Sequence, residues 1–441
     1  MQGMIDIKKT DNNKLAKEST YCPLAWVHSF INQNGNFQLC CTSEEFDNNI
    51  KDDDGKPINI AHNYSSAEVM NTKYMKDIRL QMLNGKWPKI CGRCKISENL
   101  GGVSRRQVEI KNYQNINKEI IEKTTEDGTS KSPIISADYR LGNLCNLQCR
   151  MCNPRSTKLW IKEWNDMKEG SEVFSEEVMQ SYNEYHWIDS DSLVNDFKDK
   201  APTLSHIHFA GGEPLLVPQM KTVLEACIES GNAKNITLTY NTNMTILPKS
   251  VLNLWKEFNG VKILASIDAI GDLNSYIRYP SKWDKIEENL KFIDKHHEEY
   301  NIQECMMSVT VQILNILHLD KIYKYLSQFE FIVPIPNLVN LHFPTYFQTA
   351  ILPTKLKMIA AIKLKHIKDK YQDNIPDHYQ YLIENIPQVS NFLNHKNQDP
   401  GFEFEKFINF QKKFDSSKNL NITEILPEFK PYFIEETAKR E

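Results

Sequence analysis

From residue 133 onward the chain repeats one pattern: a short apolar run, then a longer stretch in which apolar residues recur at helical spacing. The runs predict strands over 134–141, 205–209, 236–241, 262–267, 306–312 and 338–343. The amphipathic stretches between them predict helices over 219–229, 250–258, 283–296 and 319–329. Six strands joined by helical crossovers predict an α/β protein with a parallel sheet or an incomplete barrel. The segment 155–200 is longer than one crossover needs, which predicts an inserted helix or loop.

The flanks are patterned differently. Residues 1–20 are polar and read as loose. Over 24–42 apolar strand material surrounds Asn34-Gly35, a turn pair that predicts a β-hairpin. A polar loop follows over 47–55. Ser65 and Glu68 then have the spacing of a capping box, opening a helix whose stripe is Val69, Met70, Met75, Ile78 and Met82 and which Gly85 can end. Trp26 and Trp87 are expected in the core. Residues 113–132 are polar and charged and read as a linker or a helix-containing crossover between domains. After residue 345 the chain is helical and Lys-rich, as expected of cover helices. The resulting division is 20–112, a linker 113–132, the α/β region 133–345 and a helical extension 346–441.

Composition narrows the function classes. The 441 residues are 40% hydrophobic and 25% charged, with a net charge of −4. That balance gives no basic surface for nucleic acid. No apolar run has the length of a membrane span. The first residues lack the apolar core of a signal peptide, so a cytoplasmic location without membrane attachment is expected. In a reducing compartment, clustered cysteines bind metal more often than they form disulfides.

Ligands of parallel α/β folds gather at the C-terminal ends of the strands, and the polar motifs fall there. Cys145-x3-Cys149-x2-Cys152 follows the first predicted strand, and Gly211-Gly212-Glu213-Pro214 follows the second. Asn241-Thr242-Asn243 ends the third, and Ser266-Ile267-Asp268 ends the fourth. Soft thiolates suit iron–sulfur clusters, and three of them leave one iron of a cubane open. A partial zinc knuckle or three buried thiols are the alternatives. Cys22, Cys40, Cys91 and Cys94 can close a second, tetrahedral site, with zinc and an iron–sulfur cluster equally compatible by chemistry. Cys41 is excluded from it, because adjacent strand residues face opposite sides. Cys227 and Cys305 read as core thiols, and His206 and His208 as packing or local hydrogen-bonding residues.

Cys145-x3-Cys149-x2-Cys152 followed by Gly211-Gly212-Glu213-Pro214 resembles the radical S-adenosylmethionine (SAM) superfamily. The resemblance implies a partial (β/α)6 barrel and a [4Fe–4S] cluster whose open iron chelates the methionine end of SAM. An electron from the cluster would cleave SAM to a 5′-deoxyadenosyl radical that abstracts hydrogen from a substrate. It assigns Gly211, Gly212, Glu213 and Pro214 to the methionine end, and Ser266, Asp268 and Arg278 to its carboxylate. Thr242, Asn243 and the segment 311–315 fall where relatives contact ribose or adenine. Met151 departs from the aromatic residue that many relatives carry there. Cys22, Gly35-x4-Cys40 and Cys91-x2-Cys94 resemble the opening of a SPASM motif, shortened to a twitch domain with one auxiliary iron–sulfur cluster, here ahead of the barrel rather than after it. Relatives of that kind imply a peptide or protein substrate, with a small polyol or aminoglycoside as the alternative, and an electron donor such as flavodoxin or ferredoxin. A non-catalytic iron–sulfur or zinc protein on the same fold is the remaining alternative.

Overall fold

The computed structural model describes residues 11–43, 48–99, 102–168, 173–183, 186–373, 375–395 and 399–434. Of the expected loose start over 1–20, residues 1–10 lie outside them, as do the first residue of the loop 47–55 and the end of the tail, while Asn12–Glu18 is a helix capped by Asp11 rather than loose chain. The chain packs as two compact units. Unit 1 comprises Met1–Leu144, Glu184–Tyr240 and Ser250–Val261, and unit 2 comprises Cys145–Asn183, Asn241–Lys249 and Lys262–Glu441.

In unit 1, β1 (His28–Ile31) pairs antiparallel with β2 (Phe37–Gln38) and parallel with β3 (Ser136–Arg140). β3 pairs parallel with β4 (His206–Ala210), and β4 with β5 (Thr237–Thr242). Alternation sorts the faces. Ala137 and Tyr139 are fully buried together with Ile207 and Phe209, whereas Ser136, Asp138, Arg140, His206 and His208 share the opposite face.

The hairpin differs from its expected form. Residues Leu24–Val27 make one helical turn before β1, and the reversal is a longer loop closed by Asn32 N–H to Asn36 O at 3.0 Å. Gly35 sits at φ +81°, and a Cβ there would stand 2.6 Å from Trp187 Cγ. The hairpin is not a separate layer: its first strand extends the parallel sheet, in register from His28 opposite Ser136 to Ile31 opposite Tyr139. The polar segment 113–132 also lies within unit 1 and contains the helix Asn117–Glu122.

The expected helix after Ser65 is two helices. Ser65 and Glu68 form the capping box on Ser66–Val69, and Thr72 caps a second helix, Lys73–Leu83. All five stripe residues are buried, and Gly85 follows at φ +70°. The insertion in 155–200 is helical, with Trp164–Met167 and Glu176–Asn183 in unit 2 and Asp191–Lys200 in unit 1. The last of these buries Asp196 and Lys200 as an i,i+4 ion pair, which also binds Ser66 and Tyr139.

Unit 2 contains most of β6 (Gly260–Ser266), and β7 (Ile302–Val311) paired parallel with β8 (Asn337–Asn340). Around them pack Trp283–His296, Leu319–Leu326 and the tail helices Thr354–Tyr371, Asn385–Leu393 and Pro400–Lys418. The last begins with Asp399 as N-cap and Pro400 in its first turn, where proline costs no intrahelical hydrogen bond. Its Phe407, Phe410 and Phe414 are buried.

Candidate active site

Unit 2 gathers the three cysteines on a loop held by both backbone and side-chain hydrogen bonds. Cys149 is buried, while Cys145 and Cys152 are half-buried. Gln148 N–H donates to Tyr279 O at 2.6 Å and Arg150 N–H to Ile277 O at 3.0 Å, so the loop lies against the segment 277–279. A turn from Cys152 N–H to Cys149 O, 3.0 Å, brings those two cysteines together. Cys145 Sγ accepts from Leu147 N–H at 3.4 Å and faces the Asn243 amide at 3.9 Å. The same amide donates to Asn146 Oδ1 at 2.9 Å. A shared hydrogen bond with Cys152, then burial, push the Cys149 thiol well above its ordinary pKa, with Arg278 pulling the other way. Metal ligation removes such thiol protons, because thiolates are the ligands.

Asp268 and Arg278 belong to the same unit. Both are buried, and Arg278 Nε lies 2.8 Å from Asp268 Oδ2. Asp268 Oδ1 accepts from Thr310 N–H at 2.8 Å, and its backbone N–H donates to Asn274 Oδ1 at 3.0 Å. Burial works against the Arg278 charge, but Asp268 and the Cys149 thiol outweigh it and raise its pKa. The carboxylate predicted to meet a ligand therefore orients the arginine. Ser266 ends β6, two residues before Asp268.

The segment 311–315 splits into two roles. Asn315 ties the strand ends together, donating to Asp268 O at 3.0 Å and Thr310 O at 2.9 Å. Gln312 is fully buried, yet neither its Oε1 nor its Nε2 has a partner among the described residues. A buried amide left this way calls for a ligand or water. SAM offers the matching donors and acceptors, so the residues present fit that group.

In unit 1, Gly211 and Gly212 lie in close approach to neighbouring protein backbone. A Cβ on Gly212 would stand 2.2 Å from Leu144 O, and one on Gly211, at φ +118°, 2.9 Å from Leu141 N. Glu213 N–H donates to Leu144 O at 2.8 Å, binding the motif to the residue that precedes Cys145 in the chain. Glu213 is buried, and its Oε1 accepts from Leu215 N–H at 3.2 Å, capping the turn Pro214–Leu216.

Cys22, Cys40, Cys91 and Cys94 line one cavity of about 20 Å³ in unit 1. Burial, then the neighbouring Cys40 and Cys91 thiols, raise the Cys22 pKa. Cys40 Sγ lies 3.1 Å from Thr42 Oγ1, which is 3.9 Å from Cys94 Sγ. Cys41 is not part of the cavity lining and faces Arg105 Nη1 at 3.7 Å. Among the described residues, no three His, Cys, Asp or Glu side chains are grouped closely enough to hold a single metal ion. Trp87 is half-buried on the cavity wall under the Arg106 guanidinium, 5.3 Å from its ring, rather than in the core with Trp26. Cys227 and Cys305 are fully buried. His206 bonds Thr239 at 2.9 Å, and His208 bonds Asp138 at 3.1 Å.

Residues 139–324 match the family model of the Radical SAM superfamily. That segment is similar to the radical SAM domain. Its span takes in the three-cysteine loop, Gly211–Pro214, Asn243, Ser266, Asp268, Arg278 and Gln312, and leaves out the four-thiol cavity and the tail. The match supports an enzyme. No curated protein matches the chain. Solved structures similar to it include native anSMEcpe with bound AdoMet and Kp18Cys peptide, at 19% identity and TM-score 0.37, covering 54% of this chain and 60% of that one. Streptococcus suis SuiB is similar at 13% identity and TM-score 0.34, covering 72% and 65%. The chain thus spans about three fifths of the length of the first structures it matches. No helix among the described residues is long and apolar enough to cross a membrane.

Outside the predicted set are Asn146 and Asn274, which pin the loops around the cysteines and Asp268. In a chain so rich in asparagine, single residues of that type carry no signal of their own.

Proposed function

We propose that the chain is a radical SAM enzyme that takes hydrogen from a peptide or protein side chain. The observation that carries the reading is the pairing, within unit 2, of the three-cysteine loop with a buried arginine fixed by Asp268. Cys145, Cys149 and Cys152 would hold the [4Fe–4S] cluster, which together with SAM supplies the 5′-deoxyadenosyl radical. Arg278 offers a fixed guanidinium for the carboxylate of SAM, and its ion pair with Asp268 keeps the fork in one orientation. Gly211, Gly212, Glu213 and Pro214 are proposed for the methionine end, Ser266 for the carboxylate, and Asn243 and Gln312 for the nucleoside. Unshared polar atoms on Gln312 support the last of these.

Cys22, Cys40, Cys91 and Cys94 are proposed to hold an auxiliary iron–sulfur cluster, with their shared cavity and mutual influence on Cys22 as support. A cluster held there would supply a twitch-like electron acceptor for the substrate radical, and a flavodoxin or ferredoxin would be the outside donor to the first cluster. The peptide or protein substrate rests on the resemblance of that cysteine set to the modules of peptide-modifying relatives.

Anaerobic iron and sulfide analysis tests the cluster assignment. Two cubanes predict ~8 iron per chain, with ~4 remaining after Cys145, Cys149 and Cys152 are all changed to Ala. Iron unchanged by that triple substitution would refute the assignment. Zinc in the four-thiol cavity would remove the auxiliary cluster and leave the rest.

A further inference from the structure

Among the described residues of unit 2, the residue between two of the three cysteines is the most enclosed cation. Arg150 is fully buried. Its Nε donates to Tyr276 O at 2.8 Å, and its guanidinium stacks 3.6 Å from the Tyr276 ring and 4.4 Å from that of Phe414. The rest of the fork turns to the C-terminal helix Pro400–Lys418: Nη2 reaches Asp415 Oδ1 at 2.7 Å, and Nη1 bonds Gln411 Oε1. Asp415 is saturated. It also accepts from the Tyr276 hydroxyl at 2.9 Å and from Ile422 N–H at 2.7 Å. Tyr276 OH lies 3.1 Å from Gln411 Oε1 as well.

The same helix touches the loop at two further points. Trp160, whose Nε1–H donates to Cys149 O at 3.0 Å, packs on Phe410 and Phe414 with ring centres 6.0 and 5.4 Å away. Lys418 pairs with Glu163 at 2.6 Å, and Glu163 accepts from Gln148 at 3.3 Å. Residues 148, 149 and 150 are thus each joined to this helix directly or through one side chain. A helix that only covered the unit would need its apolar face. This one adds a buried carboxylate whose cationic partner lies 265 positions earlier, between two cluster ligands.

We propose that the helix Pro400–Lys418 is a positioning element of the cluster site. Asp415 and Gln411 act through Arg150 to fix the backbone that presents Cys149 and Cys152. The inference rests on the reading that those cysteines hold the cluster. Partners one step removed from the ligands set their orientation, and losing one weakens metal binding by about 10- to 100-fold.

The test uses the full chain, purified and reconstituted without oxygen, with iron loss to a chelator and the EPR signal of the reduced cluster, with and without SAM, as readouts. Asp415→Ala is expected to lose iron from the three-thiol site about tenfold faster than the wild type and to change the EPR response to SAM. Asp415→Asn, a milder change that still offers Arg150 a carbonyl, is expected to fall between the two. Phe407→Leu loosens the same helix against Phe347 and Phe429 without touching Arg150, and is expected to leave both readouts unchanged. Wild-type behaviour in both Asp415 variants, or equal losses in Phe407→Leu, would overturn the inference alone. A wild type whose iron ignores the triple cysteine substitution would overturn the cluster reading and this inference together.

Discussion

His28 shows how far a single buried side chain is displaced from its behaviour in water. It stands on β1 with Nδ1 2.7 Å from Ser136 Oγ, and burial, resisted by Asp138, lowers its pKa from 6.5 to about 3. The folded protein therefore keeps it neutral where the unfolded chain protonates it. Stability is complete above pH 6.5 and is lost as the pH falls from there toward 3, because the unfolded state binds the extra proton. Chemical denaturation should show the wild type losing about 1.4 kcal/mol more than His28→Gln between about pH 7.5 and 5.5. Equal losses would show that the ring protonates in the folded state. Nothing in the sequence marked this histidine, since its environment comes from β3. Arg150 carries no signal of its own in the sequence, and Asp415, its partner, lies in a tail that carries no motif. Arg278 was legible because its spacing from Ser266 is part of a known pattern, whereas the service of Asp268 to that arginine required coordinates.

Elements were more readable than residues. All six predicted strands of the α/β region are present, and the helix over 283–296 has the predicted ends, because long runs of strongly periodic sequence carry their own signal. The hairpin was recognised from Asn34-Gly35, but its membership of the sheet was not. Pairing of β1 with β3 joins residues 108 positions apart, and no local pattern encodes it. The helix after Ser65 was predicted whole and is broken at residues 70–72, where Thr72 restarts it with a cap of its own. The Gly-Gly turn follows β4 as predicted, and within the protein Gly212 is required by Leu144 O, which would stand 2.2 Å from a Cβ there. Backbone cannot retreat cheaply, so Gly212→Ala should destabilise the protein by about 1–3 kcal/mol. A lower denaturation midpoint at unchanged slope would record it, and an unchanged midpoint would mean that the segment before Cys145 is free to move.

At the scale of the whole molecule, the chain packs as two units, each assembled from segments distant in sequence. Unit 1 contains the four-thiol cavity and the Gly211–Pro214 turn, and unit 2 contains the three-cysteine loop, the Asp268–Arg278 pair and the tail. The sequence singled out the two cysteine sets, the triplet by its short spacing and the four of unit 1 by their resemblance to a known motif. It was silent on the tail, whose contribution depends on contacts across most of the chain. The central claim is that Cys145, Cys149 and Cys152 support cleavage of SAM. Anaerobic assay of 5′-deoxyadenosine after reduction in the presence of SAM tests it most directly. Wild-type protein should form the nucleoside, and protein with all three cysteines changed to Ala should form none while keeping the iron of the four-thiol cavity. Wild-type protein loaded with iron and inert toward SAM would contradict the account.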